Sequence, residues 1–391
     1  MNKQLNFVMI SPHFPANFET FAHRLHENGI NTLGIADAPF EELSEGLRNS
    51  LTEYYRVDDM EDYNQMYRAV AYFAWKYGKI DRIESHNEYW LETDAKLRTD
   101  FNVFGFKEKD MDRIKHKSAM KEIFIKNGIP AAKGRVFKDK RDAEKLARSL
   151  KFPVIIKPNS GVGASNTWKI KNRNELNSFF DEADQSVEYI MEEYIPGDIV
   201  TFDGLTDQDG NIVFYSSLVH DKPVLDIVED DTDMFYYIAR DIPEKLVELG
   251  KKAVKAFDIK ERFFHFEFFK LDNGNYMGLE INCRPPGGVT IDMFNYANDI
   301  DIFNEYAHIV KYNKFMADLN RPYNAAYTSR KEHKNYVHSH DEIISTYKNE
   351  IISAETIPGV FSAVLGDIGY IFKTPSFDKM KEIITFISET K

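Results

Sequence analysis

The residues with the clearest chemical potential lie in one apolar segment, RFFHFEFFKLDNGNYMGLEIN, from Arg262 to Asn282. Asn273-Gly274 is a strong two-residue turn signal, because both central positions of a type I′ turn need positive φ. A hairpin closed by that pair puts Glu267 directly opposite Glu280 and His265 opposite Asn282. With a period of two, His265, Glu267, Glu280, Asn282 and Arg284 share one face, while Phe264, Phe266, Phe268, Leu279 and Ile281 point to the other. Two carboxylates facing each other across a strand pair sit about 5 Å apart and repel. A shared proton or a bound cation relieves that repulsion. With Asn282 adding a third oxygen, a hard divalent ion such as magnesium, completed by water and phosphate oxygens, is the better fit. The plain alternative is a solvated face carrying ordinary surface charge, and His265 by itself reads as a packed or hydrogen-bonded histidine.

A second candidate is PVIIKPNSGVGASNTWKI, where Lys157 ends an apolar strand just before a loop of small residues that includes Ser160, Gly161 and Gly163. Small residues let backbone N–H groups close over phosphate oxygens while the lysine supplies a point charge. This is not a Walker A loop, because the lysine precedes the glycines and a strand follows them. In isolation the segment also reads as an ordinary hairpin loop. Lys115-His116-Lys117 opens a basic helix, which alone is a solvated face. Glu192-Glu193-Tyr194-Ile195-Pro196-Gly197-Asp198 leaves a strand and enters a turn, a pattern suited to a hinge that offers backbone groups to a base and a carboxylate to a ribose.

These residues need a scaffold, and the pattern of the chain supplies one. NFVMIS, a helix from about Phe18 to Asn28, NTLGIAD, RIESH and VFGF alternate as in a small parallel sheet covered by helices. The first turn, Ser-Pro-His-Phe-Pro, lacks the glycines of a dinucleotide site, which argues against nicotinamide or flavin. From about Asp110 a helix stops at Gly128-Ile129-Pro130. Another helix, the strand PVIIKP, the strand TWKI, a helix from Arg173, the strand EYIMEEYI and a hairpin at Asp209-Gly210 follow. A helix near Pro243 to Phe257 then leads into the acidic hairpin. The remainder reads as a mixture in which FSAVLG and YIFKT are strands and a helix starts at Phe377.

The chain has 391 residues, enough for two or three domains. Its 50 basic and 63 acidic residues leave a net charge of −13, which argues against non-specific nucleic-acid or anionic-membrane binding. Cys283 is the single cysteine, so an internal disulfide and any multi-cysteine metal site are excluded. The first residues lack the apolar run of a signal peptide or membrane span, so a cytoplasmic location is expected.

In order, these features are a helix lysine, a strand-end lysine with a glycine loop, a Glu-Glu-Tyr-Ile-Pro-Gly-Asp hinge, a strand glutamate and Glu-x-Asn-x-Arg. That order resembles the ATP-grasp superfamily over residues 108 to 312. The resemblance implies an α/β and α+β protein: a βαβ-type pre-ATP-grasp domain over 1–107, a two-subdomain ATP-grasp fold over 108–312 and a small α/β lobe over 313–391. Lys117, eleven residues before Gly128 and followed at the third position by Met120, matches the first phosphate lysine, and Lys115 fits less well. Lys157 matches the second, with Ser160 to Ser165 as a mobile loop over the β- and γ-phosphates. Glu192, Glu193, Tyr194 and Ile195 match the adenine hinge, and Asp198 stands where an acid takes the ribose. Glu267, Glu280 and Asn282 match the ligands of magnesium, with manganese as a substitute, and Arg284 matches an arginine that steadies the acyl phosphate.

His265-Phe266-Glu267 and Asn282-Cys283-Arg284-Pro285-Pro286-Gly287-Gly288 are similar to L-amino acid ligases. The resemblance implies ATP as co-substrate, an acyl-phosphate intermediate, small-molecule carboxylate and amine substrates, and ADP and phosphate as products. His265 is a candidate acceptor for the proton of the attacking amine, or an orienting group. The segment from His220 to Asp233, with its acidic run, is a second candidate lid. Other readings are a ligase of nucleotide biosynthesis, a bicarbonate-activating enzyme of the carbamoyl-phosphate synthase or biotin carboxylase kind, and a non-catalytic ATP-binding regulator. A homodimer is an assembly common among proteins of this kind.

Overall fold

The computed structural model describes residues 4–161, 166–220, 231–357 and 359–391. Its first sheet is parallel throughout, in the order β3 (Glu53–Arg56), β2 (Asn31–Ala36), β1 (Asn6–Ile10), β4 (Arg82–Glu84). Every residue of β1 is buried, as expected of a strand covered on both faces. The helix Tyr63–Tyr77 shows why these segments pack: Asp62 caps its first turn, and Met66, Ala69, Val70 and Phe73 form the buried stripe that meets the sheet.

A second, four-stranded antiparallel sheet has the order β5 (Gly134–Val136), β8 (Tyr189–Glu193), β6 (Val154–Pro158), β7 (Trp168–Ile170). Helices Lys140–Leu150 and Arg173–Glu182 contribute to its own small core, with Leu146, Ile156, Phe179 and Met191 at the centre. Among the described residues the third sheet has nine strands. Its path is β14 (Tyr276–Asn282), β13 (Phe263–Lys270), β9 (Asp198–Thr206), β11 (Leu218–His220), β12 (Phe235–Ile238), β15 (Asn324–Arg330), β17 (Ile368–Thr374), β16 (Ile351–Thr356), and β10 (Ile212–Ser216) also pairs with β9. The strands after residue 313 therefore continue the sheet that carries the acidic hairpin.

Two expectations are corrected. Leu271 N–H donates to the Asn275 carbonyl and Gly274 N–H to the Leu271 carbonyl, with Gly274 at φ +73°, so the loop is Asp272-Asn273-Gly274 rather than a two-residue turn. Phe268 consequently pairs with Gly278 rather than Leu279, and a bulge next to Glu267 restores the register, so that Glu267 still faces Glu280 and His265 still faces Asn282. The expected pairs are present because two one-residue offsets cancel. The second correction concerns FSAVLG, which belongs to the helix Gly359–Leu365 rather than a strand. A short apolar run does not distinguish the two states, and Gly366, at φ +75°, is the left-handed stop that marks a helix end.

Candidate active site

The site lies where the second and third sheets meet, and one helix, Lys117–Lys126, connects them. The backbone N–H of Lys117 donates to the Asn159 carbonyl at 2.8 Å, and that of Ser118 to Asn159 Oδ1 at 2.9 Å, so Asn159, just after β6, satisfies donors that a helix start leaves open. On its other side the helix rests against the hairpin: Phe124 lies under Gly278, where a Cβ would come within 2.9 Å of its ring, and Gly278 N–H donates to the Pro130 carbonyl at 2.7 Å.

Positive charge converges from that helix and β6. Lys117 Nζ donates to the Gly161 carbonyl at 2.9 Å and lies 3.3 Å from Glu280 Oε2. Lys157 Nζ lies 3.1 Å from Glu192 Oε2, and Lys121 Nζ lies 2.9 Å from Glu192 Oε1. Burial penalises Lys157, but the charges of Glu192, Glu280 and Glu267 overcome it and hold its ammonium above the usual value. For Lys121 burial wins over Glu192 and the value falls. Glu192 is buried too, yet the two lysines draw its carboxyl below the ordinary range.

The negative set stands on β13 and β14. Glu267 and Glu280 are cross-strand partners with side chains 24% and 13% exposed, too buried for an idle surface pair. His265 Nδ1 hydrogen-bonds Asp203 Oδ1 at 2.6 Å, and its Nε2 lies 3.4 Å from Glu267 Oε1. Burial disfavours the imidazolium, but Asp203 and then Glu267 outweigh it, and the value rises to about 9. Burial likewise disfavours the Glu267 carboxylate, and the bond from His265 more than offsets it. Asp203 sits opposite His265 on β9 and is fixed by the Thr201 hydroxyl, which also accepts from Leu218 N–H at 2.8 Å. Asn282 Nδ2 donates to the His265 carbonyl at 3.4 Å. Arg284 donates to the Pro285 carbonyl and stands 3.6 Å from Glu88 Oε2, which comes from the segment after β4. Burial raises the Glu88 value, with Arg284 opposing.

The remaining expected residues are more dispersed. Ser160 and Gly161 are exposed just after β6, and Gly163 lies outside the described residues, as does much of the expected lid after His220. Glu193 accepts from Lys133 N–H at 2.8 Å and so anchors β5 rather than facing the lysines. Tyr194 and Ile195 lie in the short crossing from β8 to β9, with Lys169 Nζ 3.9 Å from the Tyr194 ring centroid. Asp198 begins β9, is exposed and pairs with Lys270 in register. Asp231 and Asp233, from the expected acidic run, bind Lys331 and Lys334 of the C-terminal region at 2.6 and 3.0 Å.

Sequence reasoning missed Lys121, Asn159, Asp203 and Glu88. Lys121 carried a signal, being one turn beyond Lys117 on the same helix face. Asp203 and Glu88 are separated from their partners by long stretches of chain and carried none. Among the described residues no three His, Cys, Asp or Glu side chains gather as a metal centre. No helix among those residues is long and apolar enough to cross a membrane.

One lysine opens the connecting helix and another lies on the small antiparallel sheet, facing paired acids on the large one, and residues 150–292 match the ATP-grasp domain family model. The chain has the ATP-grasp fold and resembles the L-amino acid ligases within it. It is 26% identical over 266 residues to the L-arginine-specific L-amino acid ligase of Bacillus subtilis, covering 66% of this chain and 64% of that protein. It is 27% identical over 176 residues to the D-alanine–D-alanine ligase of Francisella tularensis subsp. novicida, covering 43% of this chain and 56% of that one. The chain thus spans less than two thirds of the length of these curated relatives. The crystal structure of L-amino acid ligase from Bacillus licheniformis superposes with a TM-score of 0.75 at 17% identity, covering 98% of this chain and 97% of that one.

Proposed function

We propose that the chain is an ATP-dependent carboxylate–amine ligase that forms an amide through an acyl phosphate. The observation that carries this reading is the division of charge across one cleft: Lys117 and Lys157 converge beside the facing acids Glu267 and Glu280. Its relatives include enzymes named as amino acid ligases, which supports the same reaction class. ATP fits between the small sheet and the large one, with Lys117 and Lys157 on its phosphates, Ser160 and Gly161 beside them, and the Glu192 to Asp198 hinge beside base and ribose.

The donor set at the acids suits magnesium. Glu267, Glu280 and Asn282 offer oxygen only, and each carboxylate has a protein cation beside it, His265 at 3.4 Å and Lys117 at 3.3 Å, the signature of a pair that needs positive charge. When bound, the ion would neutralise charge on the transferring phosphate oxygens. The substrate carboxylate oxygen attacks the γ-phosphorus, the bond to the bridging oxygen of ADP breaks, and ADP leaves. Lys157 and Lys117 balance the charge that grows on the phosphates, and such preorganised charge is the dominant catalytic term. Arg284 holds the acyl phosphate. The amine nitrogen attacks the acyl carbon, phosphate departs, and the amine proton is released. With both ring nitrogens engaged by carboxylates, His265 orients Glu267.

The test is a phosphate-release screen across pairs of amino acids and small carboxylates with ATP and magnesium. Release that requires both a carboxylate and an amine supports the ligase, whereas ATP binding with no release for any pair overturns it and favours a regulator.

A further inference from the structure

The parallel sheet of the first domain has a cavity of about 350 Å³ that belongs to none of the residues assigned above. It lies outside the carboxyl ends of the strands. Its walls follow β1 (His13, Phe14), β2 (Asp37) and β4 (Tyr89, Trp90), with Met60 closing one side. Because β1 lies between β2 and β4, these ends form the point where strand order reverses, the usual ligand position in open parallel sheets.

Two connections tie this cavity to the reaction centre. The loop that carries Tyr89 and Trp90 into the cavity also carries Glu88 to Arg284. Asn17, just after the β1 loop, donates to the Gly288 carbonyl at 3.2 Å and to Asp292 at 2.8 Å, beyond Arg284 on the chain. A ligand seated in the cavity therefore lies on the flank of the cleft.

The lining selects for charge. Phe14, Tyr89 and Trp90 present aromatic surface, which attracts cations. Burial pushes the His13 imidazole down against the pull of Asp37, leaving it neutral at pH 7. Asp37 is then the charged lining group, and among the described residues its carboxylate makes no hydrogen bond or ion pair with another side chain. Neighbouring Arg56 donates to the Asp37 backbone carbonyl at 3.0 Å and lines a separate depression with Tyr54. Behind the aromatic wall the Tyr89 hydroxyl donates to Glu61, which adds further negative charge. His13 Nδ1 is buried without a partner.

We propose that this cavity binds the cationic side chain, ammonium or guanidinium, of one amino acid substrate, with Asp37 as the counter-charge and Tyr89 as the aromatic wall. The proposal rests on the ligase reading for the word substrate, and on the cavity alone for binding. The experiment measures binding to the full chain by calorimetry, using L-arginine and L-lysine against the neutral analogues L-citrulline and L-norleucine, which keep the α-ammonium group. Arginine and lysine are expected to bind about tenfold more tightly than the analogues, and Asp37→Asn to erase that difference while leaving analogue and ATP affinities unchanged. Tyr89→Ala, at an exposed position, is expected to weaken the basic pair selectively. Equal affinity for basic and neutral ligands, no binding by any of them, or indifference to Asp37→Asn overturns the proposal. If basic ligands bind through Asp37 while no substrate pair releases phosphate, the cavity stands and the ligase reading fails. Release only with neutral pairs, together with no basic binding, overturns the cavity and keeps the ligase.

Discussion

The ammonium of Lys117 stands 3.3 Å from the Glu280 carboxylate, joining the helix Lys117–Lys126 to the strand that carries the acids. The same ammonium donates to the Gly161 carbonyl, so three elements distant in sequence meet at one nitrogen. The acid is thereby held in place before any nucleotide arrives.

Glu280→Gln keeps the size of the side chain and removes its charge. Phosphate release is expected to fall by about a hundredfold or more, with circular dichroism and the melting transition little changed. Unchanged turnover would refute the assigned role of Glu280.

Lys157→Ala deletes a buried ammonium aimed at the cleft and leaves Glu192 with Lys121 alone. ATP affinity, measured by calorimetry, is expected to weaken about tenfold or more, since hydrogen bonds to charged groups contribute about 1.5–3 kcal/mol. Unaltered affinity would count against the phosphate loop.

The parallel sheet and the large sheet are joined by buried charge. Arg262, at the foot of β13, pairs with Glu84 at the end of β4, and Arg98 binds the same carboxylate at 2.9 Å. Burial disfavours the Glu84 carboxylate, but Arg262 and then Arg98 hold its value low. Arg262→Met removes one partner and is expected to lower stability by about 3 kcal/mol in urea denaturation. A change within measurement error would show that Arg98 alone suffices.

His86 supplies a pH dependence. Its ring stacks on Phe21 at 4.0 Å, and burial lowers its value from 6.5 to about 4. The unfolded chain therefore takes up a proton that the folded one refuses, so stability is complete above pH 6.5 and is lost as the pH falls towards 4. The loss attributable to His86 amounts to about 2 kcal/mol by pH 5. His86→Asn suits the local φ of +58° and removes this term. Urea midpoints of the two proteins should converge between pH 7 and pH 5, and parallel curves would contradict the assignment.

The hairpin face is legible in the sequence because alternation survives a misjudged turn: Asn273-Gly274 pairs Glu267 with Glu280, while the actual loop is one residue longer and a bulge cancels the offset. The continuous apolar runs NFVMI and NTLGIA likewise announce a parallel sheet buried on both faces. FSAVLG misleads because six apolar or small residues fit either state. Asp203 behind His265, and Glu88 opposite Arg284, are hidden for a different reason. Their roles depend on neighbours brought together by sheet order, which alternation within one strand does not encode.

The helix Lys117–Lys126 is pinned at both sides, to Asn159 and Glu192 of the small sheet and to Gly278 of the large one. A swing of the small sheet must therefore either carry this post along or break its bonds to Asn159 together with the buried Lys121–Glu192 pair. Any opening of the cleft is thus tied to the seat of one helix, which moves as a unit with whichever sheet keeps hold of it.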